Sequence, residues 1–173
     1  MKSQELYSVL VNELPKSTAK DRQAWARTIA ENKIDLLDLS NLLFCDKHIT
    51  SRFMWLLTDV GETDAKILLK YLPYLLKVKD EIKYKEQGAS FANYWLVCGV
   101  PKVNETQAID LLFSWLQSSE SNVTTKSRSA FVLFNLTNIY PELRNELKVS
   151  LEGQLNGGTA SFVKRTSKLL SKL

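Results

Sequence analysis

Glycine and proline are scarce, with 6 Gly and 4 Pro in 173 residues. A many-stranded β fold needs turn-formers roughly every ten residues, so this scarcity excludes one and favours helices before any pattern is read. Histidine is scarcer still. With His48 alone and two distant cysteines, Cys45 and Cys98, no zinc or non-haem iron ligand set can be assembled, and general acid–base chemistry lacks its usual residue. His48 lies in the polar turn Asp46-Lys47-His48-Ile49 and reads as a surface or helix-capping residue. Each cysteine sits in an apolar run, where a thiol acts as a small buried hydrophobe, so reduced thiols in a cytoplasmic chain are expected.

Long apolar runs are also missing, none approaching the ~20 residues of a membrane span. Met1-Lys2-Ser3-Gln4-Glu5-Leu6 has no apolar segment or small-residue cleavage site, so no secretory signal is expected and the Asn-x-Ser/Thr triplets at Asn104, Asn122 and Asn135 carry no consequence. Gly157-Gly158 lacks the following Lys-Ser/Thr of a phosphate cradle and reads as an interhelix turn. No cofactor, catalytic residue, small-molecule substrate or membrane association is therefore expected.

What is present is helical periodicity. Leu36, Leu37, Leu39, Leu42 and Leu43 recur as on an amphipathic helix; so do the apolar residues from Ile67 to Leu76 and from Ile109 to Leu116. Punctuation falls at Pro15-Lys16-Ser17-Thr18, Cys45-Asp46-Lys47, Gly61-Glu62-Thr63, Gly99-Val100-Pro101, Ser118 to Asn122, Tyr140-Pro141 and Asn156-Gly157-Gly158. About ten helices result on these signals. Pro73 should kink or shorten its helix near Tyr71 or Leu72.

Overlaying the segments gives a repeat. Arg22 precedes Trp25, Arg52 precedes Trp55 and Arg128 precedes Phe131, the aromatic three positions on each time; Ala92 with Trp95 keeps only the aromatic, and Arg165 with Lys168 only the Arg. Anchors at 22, 52, 92, 128 and 165 are 30, 40, 36 and 37 residues apart, in the range of two-helix repeats. A helix pair of this length cannot bury its apolar faces alone, so neighbouring pairs must stack. The expected fold is all-α, a single domain over residues 1–173: a right-handed α–α superhelix, or short α-solenoid, of about five antiparallel pairs.

The expected fold is HEAT/armadillo-like, and these residues resemble HEAT repeats, whose second helix commonly opens with Val-Arg and is preceded by an Asp in the turn. Asp46 and Arg52 reproduce that spacing, and Phe162-Val163-Lys164-Arg165 with Leu169-Leu170 resembles a closing unit; Asn122 and Thr159 replace the Asp elsewhere. The run from Leu112 through Trp115, Pro141-Glu142-Leu143 and Leu147 to Ser167-Lys168-Leu169-Leu170-Ser171-Lys172-Leu173 also resembles a family of short bacterial helical proteins of unknown function, some of which bear the name adenylosuccinate lyase. A true lyase of that superfamily uses a Ser-Ser-x-Met-Pro-x-Lys-x-Asn loop with catalytic His and Ser. Here Ser118-Ser119 is followed by Glu120-Ser121, and the methionines are Met1 and Met54, so lyase chemistry has no residues to run on.

Two features suggest binding. The second helices are rich in aromatics, among them Phe53, Trp55, Phe91, Tyr94, Trp95, Phe131 and Phe134; these are expected mainly as core, with a peptide groove as the functional alternative. Lysines 77, 79, 83 and 85 are diluted by Asp80, Glu81 and Glu86, whereas Lys164, Arg165, Lys168 and Lys172 form an undiluted cationic face that reads as a solvated cap or a phosphate contact. The candidate binding residues are accordingly Arg52, Trp55, Asp59, Trp95, Arg128, Lys164, Arg165, Lys168 and Lys172. The leading expectation is a non-enzymatic scaffold that binds a protein along one face. Nucleic acid is the alternative, through a distant resemblance to HEAT-like DNA glycosylases in which Trp55 and Asp59, one turn apart, would stand for the aromatic and the acid. A continuous positive stripe on that face would favour nucleic acid, and a mixed or apolar groove a protein.

Overall fold

The computed structural model describes residues 1–156 and 158–173, so the expected turn at Gly157 lies outside the described residues. The chain is all-helical, with no strand among the described residues. Its α-helices are α1 (Ser3–Glu13), α2 (Ala19–Glu31), α3 (Lys47–Thr63), α4 (Ala65–Val78), α5 (Gln87–Cys98), α6 (Glu105–Gln117), α7 (Val123–Leu136), α8 (Leu143–Gly153) and α9 (Ala160–Leu170). Short 3-10 segments add Leu14–Lys16, Leu36–Phe44, Lys79–Glu81 and Lys102–Asn104.

Helix starts follow from capping chemistry. Thr18 caps α2 by accepting from the Asp21 amide while Asp21 reaches back to the Thr18 amide, a reciprocal box that satisfies two orphan donors. Asp46, Asn122 and Thr159 cap α3, α7 and α9, accepting from the amides of His48 and Ile49, of Thr125 and of Phe162. Each of these three lies six residues before the Arg of its segment, so Asn122 and Thr159 stand where Asp46 stands and do the same work. Helix α2 ends in a Schellman arrangement: Ile34 N–H donates to the Ile29 carbonyl and Lys33 N–H to that of Ala30, with Lys33 at φ 52°. Gly99 ends α5 at φ 83°, a left-handed conformation suited to glycine.

Two local expectations are corrected. Residues 36–44 form a 3-10 helix, not an α-helix. With three residues per turn, Leu36, Leu39 and Leu42 eclipse into one buried stripe, and the Thr50 hydroxyl donates to the carbonyls of Leu42, Leu43 and Cys45, tying down the segment's last turn. Gly61-Glu62-Thr63 is no break, because α3 runs through it and stops at Asp64. Gly61 is instead a close-approach residue: a Cβ there would stand 2.6 Å from Leu68 Cδ2 and 3.2 Å from Val97 Cγ1. Of the kink or shortening expected at Pro73, the shortening does not occur. α4 continues to Val78, held by burial of Tyr71, Leu72, Leu75 and Leu76, each worth roughly 1.5–3 kcal/mol against the ~3 kcal/mol an internal proline costs.

Helices α2, α3, α5, α7 and α9 pack successively, each on the next, while α4 and α6 lie against α5 and α7 and α8 bridges α6, α7 and α9. One apolar cluster joins them from Leu6 to Leu169. Most of the aromatic load of the second helices is inside it: Phe53, Phe91 and Tyr94 are inaccessible, and Tyr94 donates its hydroxyl to the Met54 carbonyl at 2.6 Å, tying α5 to α3. Trp55 is the exception and faces outward. Among the described residues no helix is long and apolar enough to cross a membrane.

Candidate functional site

The row α2, α3, α5 and α7 opens onto a cleft of about 400 Å³. Arg22 enters from α2, Trp55, Thr58 and Asp59 from α3, Ser90 and Asn93 from α5, Thr124 and Arg128 from α7, with Tyr84 and Glu86 from the loop before α5. Helical spacing places Trp55 and Asp59 one turn apart on the same face of α3. Their stretch of α3 is anchored because Phe53 and Met54 before Trp55, and Leu56 and Leu57 between Trp55 and Asp59, are fully buried.

Arg22 Nε donates to Asp59 Oδ2 at 3.1 Å, and both side chains are nearly covered, at 12% and 11% exposed. Burial pushes the Asp59 carboxyl above its ordinary range; Arg22 pulls it back and Glu62 adds to the rise, leaving it raised. Trp55 is held by three groups. Its indole N–H donates to the Tyr84 hydroxyl at 3.1 Å, and the guanidinium groups of Arg52 and Arg22 lie 4.5 and 5.4 Å from its ring. Tyr84 donates onward to Glu86 at 3.4 Å, and burial raises its hydroxyl pKa. Asn93 Nδ2 donates to Thr58 Oγ1 at 3.3 Å, and Arg128 Nη1 to the Ala89 carbonyl at 2.9 Å.

Of the residues expected from sequence, Trp55, Asp59 and Arg128 line this cleft and Arg52 stacks on Trp55 beside it. Trp95 is not brought there. It is 4% exposed and stacks on Trp115 with centroids 5.9 Å apart, beside Phe91. Lys164, Arg165, Lys168 and Lys172 are exposed at the C-terminal end of the chain, outside the cleft lining. Arg22, Tyr84, Asn93 and Thr124 were missed as site residues. Arg22 alone carried a signal, as the first anchor of the repeat. His48 is exposed, and its backbone amide donates to the capping Asp46.

The cleft is therefore mixed in charge, with Arg22 and Arg128 facing Asp59 and Glu86 among amides and hydroxyls. Among the described residues no cluster of three or more His, Cys, Asp or Glu could hold a metal ion. The arrangement presents hydrogen-bonding groups and cation–π contacts. No family model matches the chain, and no curated protein or solved structure matches it either.

Proposed function

We propose that this chain is a non-enzymatic cytoplasmic interaction scaffold, a right-handed α–α superhelix of about five helix pairs of the HEAT-like kind, that binds a protein along the face formed by its second helices. The succession of α2, α3, α5, α7 and α9 supports the stacked-pair reading. So does the register of the anchors, since Arg52, Ala92, Arg128 and Arg165 each occupy the sixth residue of their helix.

The observation that carries the protein partner is the cleft's lining. Polyanions are held by continuous cationic stripes, whereas this cleft alternates Arg22, Asp59, Glu86 and Arg128 with Asn93 and Ser90, a surface suited to the alternating donors and acceptors of a peptide backbone. The test is recovery of partners from native lysate by tagged wild type and by Trp55→Ala, each with and without nuclease. Protein partners that survive nuclease and are lost with Trp55→Ala support the scaffold. Recovery of nucleic acid, or loss of all partners on digestion, overturns it.

One observation favours nucleic acid as the second reading: Trp55, Asp59 and Arg128, separated in sequence, meet in one cleft. Against a base-excision role, Asp59 is occupied by Arg22 and is no free carboxylate that could stabilise a cationic base.

A further inference from the structure

The cleft holds a cation to which the fold gives no counter-ion. Arg128 is half-buried; its Nη1 is spent on the Ala89 carbonyl, and it pairs with no carboxylate among the described residues. Arg22 commits only Nε to Asp59, leaving its terminal nitrogens without a hydrogen bond among the described residues. A partly desolvated guanidinium satisfied by one neutral carbonyl has lost hydration that a carboxylate would replace with a bidentate, charge-assisted pair.

We propose that the cleft is a monoanion subsite that takes one Asp or Glu carboxylate from an acidic segment of a protein partner, gripped by Arg128 and Arg22 and flanked by Trp55. It rests on the scaffold reading above and names the partner's chemistry. Charge decides the class. Summed over the site, Arg22, Arg128 and the adjoining Arg52 against Asp59 and Glu86 leave one positive charge in excess, and Arg128 is the lining cation that forms no ion pair with either carboxylate among the described residues. One carboxylate neutralises that excess, whereas a phosphate dianion would bring a second negative charge against Asp59 and Glu86. The volume of about 400 Å³ suits a side chain with its adjoining backbone and lies near the small end of ligand sites. Asn93 and Thr124 are placed to bond that backbone.

The experiment is NMR titration of the full ¹⁵N-labelled chain, following the arginine Nε–H and tryptophan indole signals. The probes are acetyl-Ala-Ala-Glu-Ala-Ala-amide, its Gln counterpart, inorganic phosphate and oligothymidylate. The expected result is a saturable shift of Arg128, Arg22 and Trp55 signals with the Glu peptide, roughly tenfold weaker or absent with the Gln peptide. Arg128→Gln should abolish the shift, Arg128→Lys should retain part of it, and Arg144→Gln, at an exposed position, should leave it unchanged. A thermal melt within a few degrees of wild type for Arg128→Gln excludes misfolding as the cause, and Arg128→Lys provides the reading if that variant unfolds. No saturable response to the Glu peptide, equal response to Glu and Gln, or a stronger response to phosphate or oligothymidylate overturns the subsite. Partners retained by wild type after nuclease alongside any of these outcomes would sink the subsite and leave the scaffold. A Glu-specific shift with no nuclease-resistant partner would do the reverse.

Discussion

Replacing Arg22 by Gln and, separately, Asp59 by Asn should perturb stability with opposite pH dependences. The pair is a single 3.1 Å bond between side chains only about one-tenth exposed. Removing one member of a fully buried pair costs ~3–5 kcal/mol, and the open cleft beside this one admits water, so Arg22→Gln should cost about 2 kcal/mol at neutral pH. Asp59→Asn keeps an acceptor for Arg22 Nε and should cost about 1 kcal/mol. For a chain of this size each kcal/mol moves Tm by ~2–4 °C. Because the folded carboxyl of Asp59 is raised by burial, its contribution is fully present below the unfolded pKa of ~3.9 and is lost as pH rises through the folded value. Asp59→Asn has no such loss to suffer, so its cost relative to wild type shrinks between about pH 4 and pH 7. Arg22→Gln removes the attraction that partly offsets desolvation, lifts the folded pKa further, and makes its cost grow over the same range. Urea melts of both variants at about pH 4, 5.5 and 7, with m unchanged, decide the matter. Costs that move in the same direction with pH, or an Asp59→Asn cost that grows, would refute the reasoning.

Lys33→Gly should stabilise by about 0.5–1 kcal/mol by relieving a left-handed lysine, and Lys33→Ala should not, which urea midpoints will separate from any charge effect. Gly99→Ala should destabilise by about 1 kcal/mol although a Cβ there meets nothing within 4 Å, so the loss appears without any new contact. Tyr140→Phe removes a hydroxyl that donates to Glu105 Oε1 and accepts from Lys102 Nζ at 2.8 Å, and thermal melts should show a loss of about 1 kcal/mol at neutral pH. Burial alone would raise Glu105, but Tyr140 and Lys102 together hold it below its ordinary value. The stability it contributes is present above the unfolded pKa and lost as pH falls through the folded one, so the Tyr140→Phe deficit should shrink in acid.

The α-helices were legible because their signals are local. Caps such as Asp46 and Asn122 act within three residues, and Leu112, Phe113 and Leu116 recur on one face whatever lies opposite. The errors arose where a distant contact outweighed a local preference. Gly61 reads as a turn until Leu68 and Val97 are seen to need its missing side chain, and Pro73 does not shorten α4 because the burial around it outweighs the local cost. The 3-10 segment reads as an α-helix because Leu36, Leu39 and Leu43 share a face at 3.6 residues per turn just as Leu36, Leu39 and Leu42 do at three; the Thr50 hydroxyl on its terminal carbonyls comes from the following helix.

The site divides along the same line. Trp55 and Asp59 stand one turn apart, and that pairing is visible in any helical reading. What Asp59 does is set by Arg22, thirty-seven positions earlier, and where Trp55 points is set by Tyr84, twenty-nine later. The neighbouring helix therefore converts an acid that sequence offers as a free partner for Trp55 into one half of an ion pair. Arg128, singled out only for its place in a repeat, becomes the cleft's uncompensated cation. The mixed charge of the cleft, Arg22 and Arg128 beside Asp59 and Glu86, is set across α2, α3, α5 and α7 and exists only once the four helices are packed.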